Sequence, residues 1–464
     1  MFDGKITNLP HIHRVRALLD SRAMIRNPVH VFEKYRKQLG KTFTFHFGGA
    51  KRAIVSTDPD FIQHMLLKNQ ANYHKSDIQV KRMGEFQGQG LLNSHGEAWL
   101  RQRRHLADGF LRSRLVKLLP FQCEVMDEAM AGFAQRAKEG PVDIYQEMVE
   151  VTLKLVGKSL FGQQISEQEL QVIAKAVSDI QGFIVRQIVQ PYLIPWFRIT
   201  GQSAHYQKIR IKGDRLISAY IDTRRREDRG NSDLLKHMLE TPYEDTGKPM
   251  EDSQILIEAL QLLIAGNETS SNALAWTFYL LAKHPECIVK IRSEIERTAG
   301  KDPLDFAALH RLEFTLQVIN EALRLYPPFW MIDRTSMEDD EINGIHIPAG
   351  ITVIPYIYGT HRNPDFWPDA ETFDPSRFER ASVKERHTFA HIPFGGGPRV
   401  CIGSNMALMQ ILLILVSFIR DYDFELTTKR PSKICPMMIL RPDGPIQMRF
   451  WPVSPVSRIG NARP

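Results

Sequence analysis

Cysteine is scarce: four residues in 464 (Cys123, Cys287, Cys401 and Cys435), with no C-x-x-C pair among them. That spacing argues against a disulfide framework or a zinc ribbon and points to a reducing compartment. Long apolar runs are also missing. The longest uncharged one, ILLILVSFI at 411–419, is about half of the roughly 20 residues a membrane crossing needs. The first thirty residues hold no seven-residue apolar core before a cleavage site, so neither a signal peptide nor an N-terminal membrane anchor is expected. No segment combines low hydrophobicity with high net charge, and no repeat, low-complexity tract or linker interrupts the chain. The formal charge of +7 is modest, and no basic stripe carries interleaved aromatics, which argues against nucleic acid as a partner. From these absences a soluble, cytoplasmic protein is expected, with one domain over 1–464 and a frayed tail from 453; a monomer is also expected.

What is present is 43% hydrophobic residues, enough for a large core. KTFTFHFGGAKRAIVSTDP alternates apolar and polar residues around Gly48-Gly49 and reads as a hairpin. From about Asp60 to Tyr326 apolar residues recur at three- and four-residue spacing, so this part is helical. After Pro327-Pro328, INGIHIPAGITVIPYIY reads as a second hairpin. A proline-rich irregular stretch, a helix from about Ser404 to Asp421 and a strand pair near 435–450 follow. The fold class is mainly α with small β-sheets (α+β), its β-rich parts at about 40–60 and 335–360.

The densest cluster of unusual residues is FGGGPRVCIG, Phe394 to Gly403. It could be a phosphate-cradling turn, a structural kink or the housing of a reactive sulfur. A dinucleotide loop needs a glycine where Val400 stands, and a nucleotide loop needs a lysine that is absent. The phosphate readings therefore fail. Cys401 precedes a helix closely, where amide donors and the helix dipole favour a thiolate. The surrounding glycines leave room for a flat group, which would suit a thiolate ligand to haem iron, with Arg399 placed to pair with a propionate. A lone cysteine beside a helix start is, however, more often a buried structural residue.

Three other stretches bear on that choice. EDSQILIEALQLLIAGNETSSNALAWTFYLLAKHP predicts one long helix that Asp252 can cap; about 30 residues span roughly 45 Å. Its middle, Ala265-Gly266-Asn267-Glu268-Thr269-Ser270, interrupts the apolar pattern. Thr269 can bond the Ala265 carbonyl and bend the helix, and an acid beside a hydroxyl is a proton-delivery pair. In NEALRLYPP, Glu321 and Arg324 share a helix face, and Arg377 of FDPSRF could bridge to them. In HGEAWLRQRR, the spacing of His95, Trp99 and Arg103 sets three donors on one stripe.

Taken in order, these stretches resemble the cytochrome P450 family of haem-thiolate monooxygenases. The matches are W-x-x-x-R at Trp99 and Arg103, [AG]-G-x-[DE]-T at Ala265 to Thr269, E-x-x-R at Glu321 and Arg324, P-x-R-F at Pro375 to Phe378, and F-x-x-G-x-R-x-C-x-G at Phe394 to Gly403. They span about three hundred residues. The chain departs from many members after the cysteine, with Met406 and Gln410 in place of phenylalanine and glutamate.

The resemblance implies a haem b (iron protoporphyrin IX) under the long central helix, with Cys401 as the iron ligand. It places Trp99, Arg103, Arg334, Arg399 and His95 against the propionates, Phe394, Gly403 and Ala265 around the cofactor, and Glu268 and Thr269 in proton delivery. It also makes the Glu321–Arg324–Arg377 group structural. The implied reaction inserts one oxygen atom from O2 into a small organic substrate, by hydroxylation or oxidative O- or N-dealkylation. Electrons would come from a separate ferredoxin or flavodoxin with an NAD(P)H-dependent reductase, docking on Arg101, Arg104, Arg112, Arg114 and Lys117. Two rival functions stand beside it: a peroxide-using or peroxide-rearranging enzyme, and a non-catalytic haem sensor or carrier. Neither would need Glu268 or Thr269. For the substrate pocket the resemblance points to Phe86, Ile264, Phe329, Trp330 and Met437 as apolar walls. Gln261, with Arg82, Gln87 and Gln89, adds polar groups that hint at an oxygen-bearing substrate.

Overall fold

The computed structural model describes residues 9–47, 51–190, 193–226, 233–300, 304–428 and 432–453. Its spine is the helix Asp252–Lys283, 32 residues long. The first half buries a stripe, whereas from Ser270 to Leu281 every side chain is buried, so the helix enters the core and is surrounded there. It packs along the helix Ile144–Phe161, and Gly266 allows the close approach. A Cβ at Gly266 would stand 3.0 Å from Val156. Glycine in a helix interior costs roughly 1 kcal/mol, and here it makes room for the Val156 side chain.

The helix starts one residue earlier than a cap at Asp252 would allow. Glu251 takes the N-cap position without a side-chain bond, and Asp252 is held instead by Arg225. Thr269 does bond the Ala265 carbonyl, at 2.6 Å, but the helix runs on without interruption.

A five-stranded sheet covers one end of the core, in the order Thr42–Phe47, Lys51–Ser56, Thr352–Pro355, Arg334–Ser336, Tyr73–His74. The first two strands pair antiparallel, Phe43 opposite Val55, as the alternation predicts; the turn at Gly48-Gly49 and the tail from 454 lie outside the described residues. The second predicted hairpin divides. Asp340–Ile342 and Ile345–Ile347 turn back on each other, with Asn343 and Gly344 both at positive φ as such turns require. Thr352–Pro355 instead joins the large sheet, parallel to Lys51–Ser56. The strands near 435–450 likewise separate into a small hairpin, Ile434–Pro436 with Leu440–Pro442, and a strand, Gln447–Pro452, paired with Tyr422–Leu426.

The helix Ser404–Asp421 forms as the periodicity predicts. By length and composition it could cross a membrane, but 61% of it is buried inside the fold, so it serves as a core helix. Below it, Glu321 and Arg324 form a fully buried pair. Arg324 also donates to the carbonyls of His361, Ala370 and Thr372. Arg377 reaches to 3.6 Å from Glu321, which pins the irregular chain that leads to Cys401.

Candidate functional site

Cys401 sits between the short turn Gly397–Arg399 and the helix Ser404–Asp421. Its N–H donates to the Phe394 carbonyl at 2.9 Å, closing the loop into a rigid hoop. The residue is exposed on one side and otherwise enclosed. Burial pushes the thiol above its ordinary pKa, against the lowering effect of the Gly403 amide and of Arg103. The expectation that the helix start alone would favour a thiolate is therefore reversed. In this enclosure the thiolate needs a bound cation, and a metal ion deprotonates a ligating thiol outright.

The loop glycines act mainly on protein. Gly397, at φ +67°, lies so close to the Leu66 carbonyl that a side chain has no room, and a Cβ on Gly396 would stand 2.6 Å from Phe389. The clearance expected for a bound group is at these positions clearance for the neighbouring chain. Gly395 and Gly403 are the more open pair, with nearest neighbours at 3.8 and 3.5 Å.

Around this loop the fold gathers cations from four segments. Arg334 stands on a sheet strand; its neighbour Thr335 pairs with His74 on the edge strand. Arg334 is buried and donates to the Asp333 carbonyl at 2.8 Å; burial lowers its pKa. Arg399 stacks on the Trp99 ring, 4.1 Å from its centroid. Its pKa is pushed down to about 10 by burial and then by Arg334. Burial also lowers Arg103, and it holds Lys75 well below the ordinary lysine value, with Arg334 and Arg399 adding to the effect. His95 lies 5.8 Å from His74, ring to ring. The nearby carboxylate of Asp333 is taken by Ser76 and Gln79. Among the described residues, Arg103, Arg334 and Arg399 have no carboxylate within ion-pair distance. Buried like charges repel and are costly unless an anion compensates them, so this donor set fits a group carrying carboxylates.

Sequence reasoning brought Trp99, Arg103, Arg334, Arg399 and His95 to one place, and it missed Lys75 and His74. It also missed Arg441, which pairs with Glu268. The pocket residues divide. Phe86 is buried against Phe183, with centroids 5.6 Å apart. Trp330 packs on Phe32 and donates to the Met437 carbonyl at 3.0 Å. Gln261 is 1% exposed and bonded to the 87–93 loop. These three are engaged in the protein's own packing; Phe86 and Trp330 were expected as apolar walls and Gln261 as a polar pocket group. Ile264 is buried too, whereas Phe329 and Met437 stay open at 44% and 39%. Of the polar pocket candidates, Gln89 donates to the Val80 carbonyl, and the Arg82 side chain lies outside the described residues. In the basic patch, Arg101 pairs with Asp245 and Arg112 lies over Phe306; Arg104, Arg114 and Lys117 are exposed. A cavity of about 430 Å³ lined by Arg26, Tyr326, Tyr358 and Arg362 includes none of these site residues.

A single enclosed cysteine ahead of a core helix, with a cradle of unpaired cations, is a donor set of the haem-thiolate class. The comparisons agree. The family profile for Cytochrome P450 matches residues 11–450, and the chain belongs to that family of haem-iron monooxygenases. It is 30% identical over 370 residues to a cyclooctat-9-en-7-ol 5-monooxygenase of Streptomyces melanosporofaciens, covering 80% of this chain and 79% of the relative. A putative cytochrome P450 132 of Mycobacterium bovis is 29% identical over 408 residues, covering 84% and 86%. Cytochrome P450 3A6 of Oryctolagus cuniculus is 28% identical over 452 residues, covering 92% and 87%.

Proposed function

We propose that this monooxygenase hydroxylates or oxidatively dealkylates a small organic substrate, using haem b held by Cys401 and electrons from a ferredoxin or flavodoxin served by an NAD(P)H-dependent reductase. The observation that carries the reading is the group of buried Arg334 and half-buried Arg103 and Arg399, without a carboxylate partner among the described residues, beside one enclosed thiol. A haem's two propionates would neutralise those cations, and its iron would bind the sulfur. When bound, the haem would supply oxygen activation, to which the Cys401 thiolate would contribute electron density.

The protein's own groups then have distinct tasks. Arg103, Arg334, Arg399 and Lys75 bind and orient the anionic edge, and Trp99 supports Arg399 by stacking. The Phe394 carbonyl holds the Cys401 backbone N–H, and the Gly403 amide faces the sulfur. Thr269, fixed by its bond to the Ala265 carbonyl, presents its hydroxyl oxygen as a proton acceptor. Glu268 moves protons at its carboxylate oxygens, which rest on Arg441 and must leave it to act. This acid–hydroxyl pair favours oxygen activation over peroxide use or a sensor role. Phe86, Ile264, Phe329, Trp330 and Met437 are the apolar wall candidates.

The test is the carbon monoxide difference spectrum of the reduced holoprotein. The red-shifted Soret band of thiolate-ligated haem is expected, and its loss in Cys401→Ser. A haem-loaded wild type without that band would refute the assignment. Screening for a substrate-induced spin-state shift can begin with cyclooctat-9-en-7-ol, the compound in one relative's name.

A further inference from the structure

The long helix carries a second polar row that the proposed chemistry does not use. Gln254, Glu258 and Gln261 follow i, i+4, i+7 spacing and so share one face. Continued along the helix, that face runs through Ala265 and Glu268. All three side chains reach across to one segment, residues 87–94. Leu91 N–H donates to Glu258 at 3.0 Å and Leu92 N–H to Gln261 at 2.9 Å. Gln261 donates to Asn93 Oδ1 at 2.8 Å, and Gln254 to the Gln89 carbonyl at 3.1 Å and to Glu258 at 2.8 Å. Two glycines let the segment lie against the helix. A Cβ on Gly88 would stand 2.7 Å from Ile257, and one on Gly90 would stand 2.6 Å from Gln261 Oε1.

The opposite edge of the same segment faces the cations. The Leu92 carbonyl accepts from Lys75, and the Ser94 carbonyl accepts from Arg399 Nη1 at 3.2 Å. Ser94 Oγ is tied to Gln102 at 2.5 Å, and Gln102 in turn donates to the Gln89 carbonyl. Leu92 therefore spends its N–H on the central helix and its carbonyl on Lys75, a half-buried lysine. A displacement of the segment moves both cations.

We propose that Gln261 and Glu258 are positioning residues: through the 87–94 strap they fix Lys75 and Arg399 at the anionic edge of the cofactor. The proposal rests on the haem reading above. It predicts that the strength of haem retention is set partly from the far side of the strap, by side chains that do not themselves contact the cradle.

The experiment measures haem release from the holoenzyme to an excess of an acceptor apoprotein. Gln261→Leu removes one acceptor and one donor, and release about tenfold faster than wild type is expected, the size of one or two lost buried hydrogen bonds. Gln261→Glu keeps the acceptor for Leu92 N–H and should recover much of that loss. In an Arg399→Gln background, Gln261→Leu should add less than about threefold, because groups acting through one contact do not add. Thr277→Val, which removes a buried hydroxyl bonded to Ala273 on the same helix, controls for stability alone. If Gln261→Leu releases haem at the wild-type rate, or no faster than Thr277→Val at matched melting temperature, the positioning role is overturned while the cradle stands. If Arg399→Gln itself leaves release unchanged, the cradle reading fails first.

Discussion

Glu321 and Arg324 meet in the interior with neither side chain reaching water: Arg324 Nε donates to one carboxylate oxygen at 2.6 Å and Nη2 to the other at 2.7 Å. The carboxylate also accepts the Asp374 N–H at 2.9 Å. Removing one partner leaves an uncompensated buried charge, at a cost of roughly 3–5 kcal/mol. Arg324→Gln should therefore accumulate little haem-loaded protein, and its denaturant midpoint should fall well below wild type. An unchanged midpoint would remove this pair from the folding argument.

Gly397 makes a sharper steric prediction. Its positive φ and its contact with the Leu66 carbonyl leave no room for a methyl group, and the neighbour is backbone, which cannot rotate away. Gly397→Ala should cost on the order of 2–4 kcal/mol, strain and overpacking together, and should disturb the hoop around Cys401. Gly403→Ala should be much milder. Thermal unfolding of both holoproteins, together with their ferrous–CO spectra, distinguishes the two sites.

Thr269→Ala removes the hydroxyl of the proposed proton path while leaving a helix-compatible side chain. NAD(P)H consumption should continue, with product formed per NAD(P)H down by roughly tenfold or more. Tight coupling in this variant would count against the assignment.

Glu258 gives a pH prediction. Burial raises its pKa from 4.5 to about 7, against the Leu91 N–H and Gln254, which favour the charged form; Tyr243 is a neighbouring titratable group that feels its charge. A raised native pKa means the neutral carboxyl supports the fold fully below about pH 4.5, and that support is lost as pH rises through about 7. Above that, the native state carries a cost of about 3 kcal/mol. Glu258→Gln should gain stability relative to wild type at pH 8 and not at pH 5. Parallel stability curves for the two proteins across that range would refute it.

Arg104, Arg114 and Lys117 are exposed residues of the basic patch, whereas Arg101 is engaged by Asp245. Reversing these three charges should raise the apparent Kd for an acidic ferredoxin and flatten its salt dependence. Arg101→Glu should matter less. Equal affinity for wild type and the triple variant would make the patch a solvated face.

The Cys401 loop, the Glu268–Thr269 pair and the buried ion pair are all legible in the amino-acid sequence, because each lies within one short segment where covalent spacing sets the geometry. Cys401 at a helix start, Thr269 one turn after Ala265, and Glu321 three before Arg324 need only local backbone to meet. Gln261 is visible as a polar residue in an apolar helix and reads from the sequence as a polar pocket group, although its spacing from Gln254 and Glu258 marks a shared face. Which segment that face grips lies outside the pattern.

Composition and periodicity determined the fold class, and motif spacing the family resemblance, which in turn implied the sulfur that would bind iron. Tertiary structure decided which charges are left unpaired. His74 stands beside Arg334 through strand pairing across the sheet, Arg441 meets Glu268 through a hairpin from far along the chain, and Lys75 lies under a strap held by the central helix. Burial and electrostatic balance depend on which distant segments pack together, and spacing along the chain does not encode that.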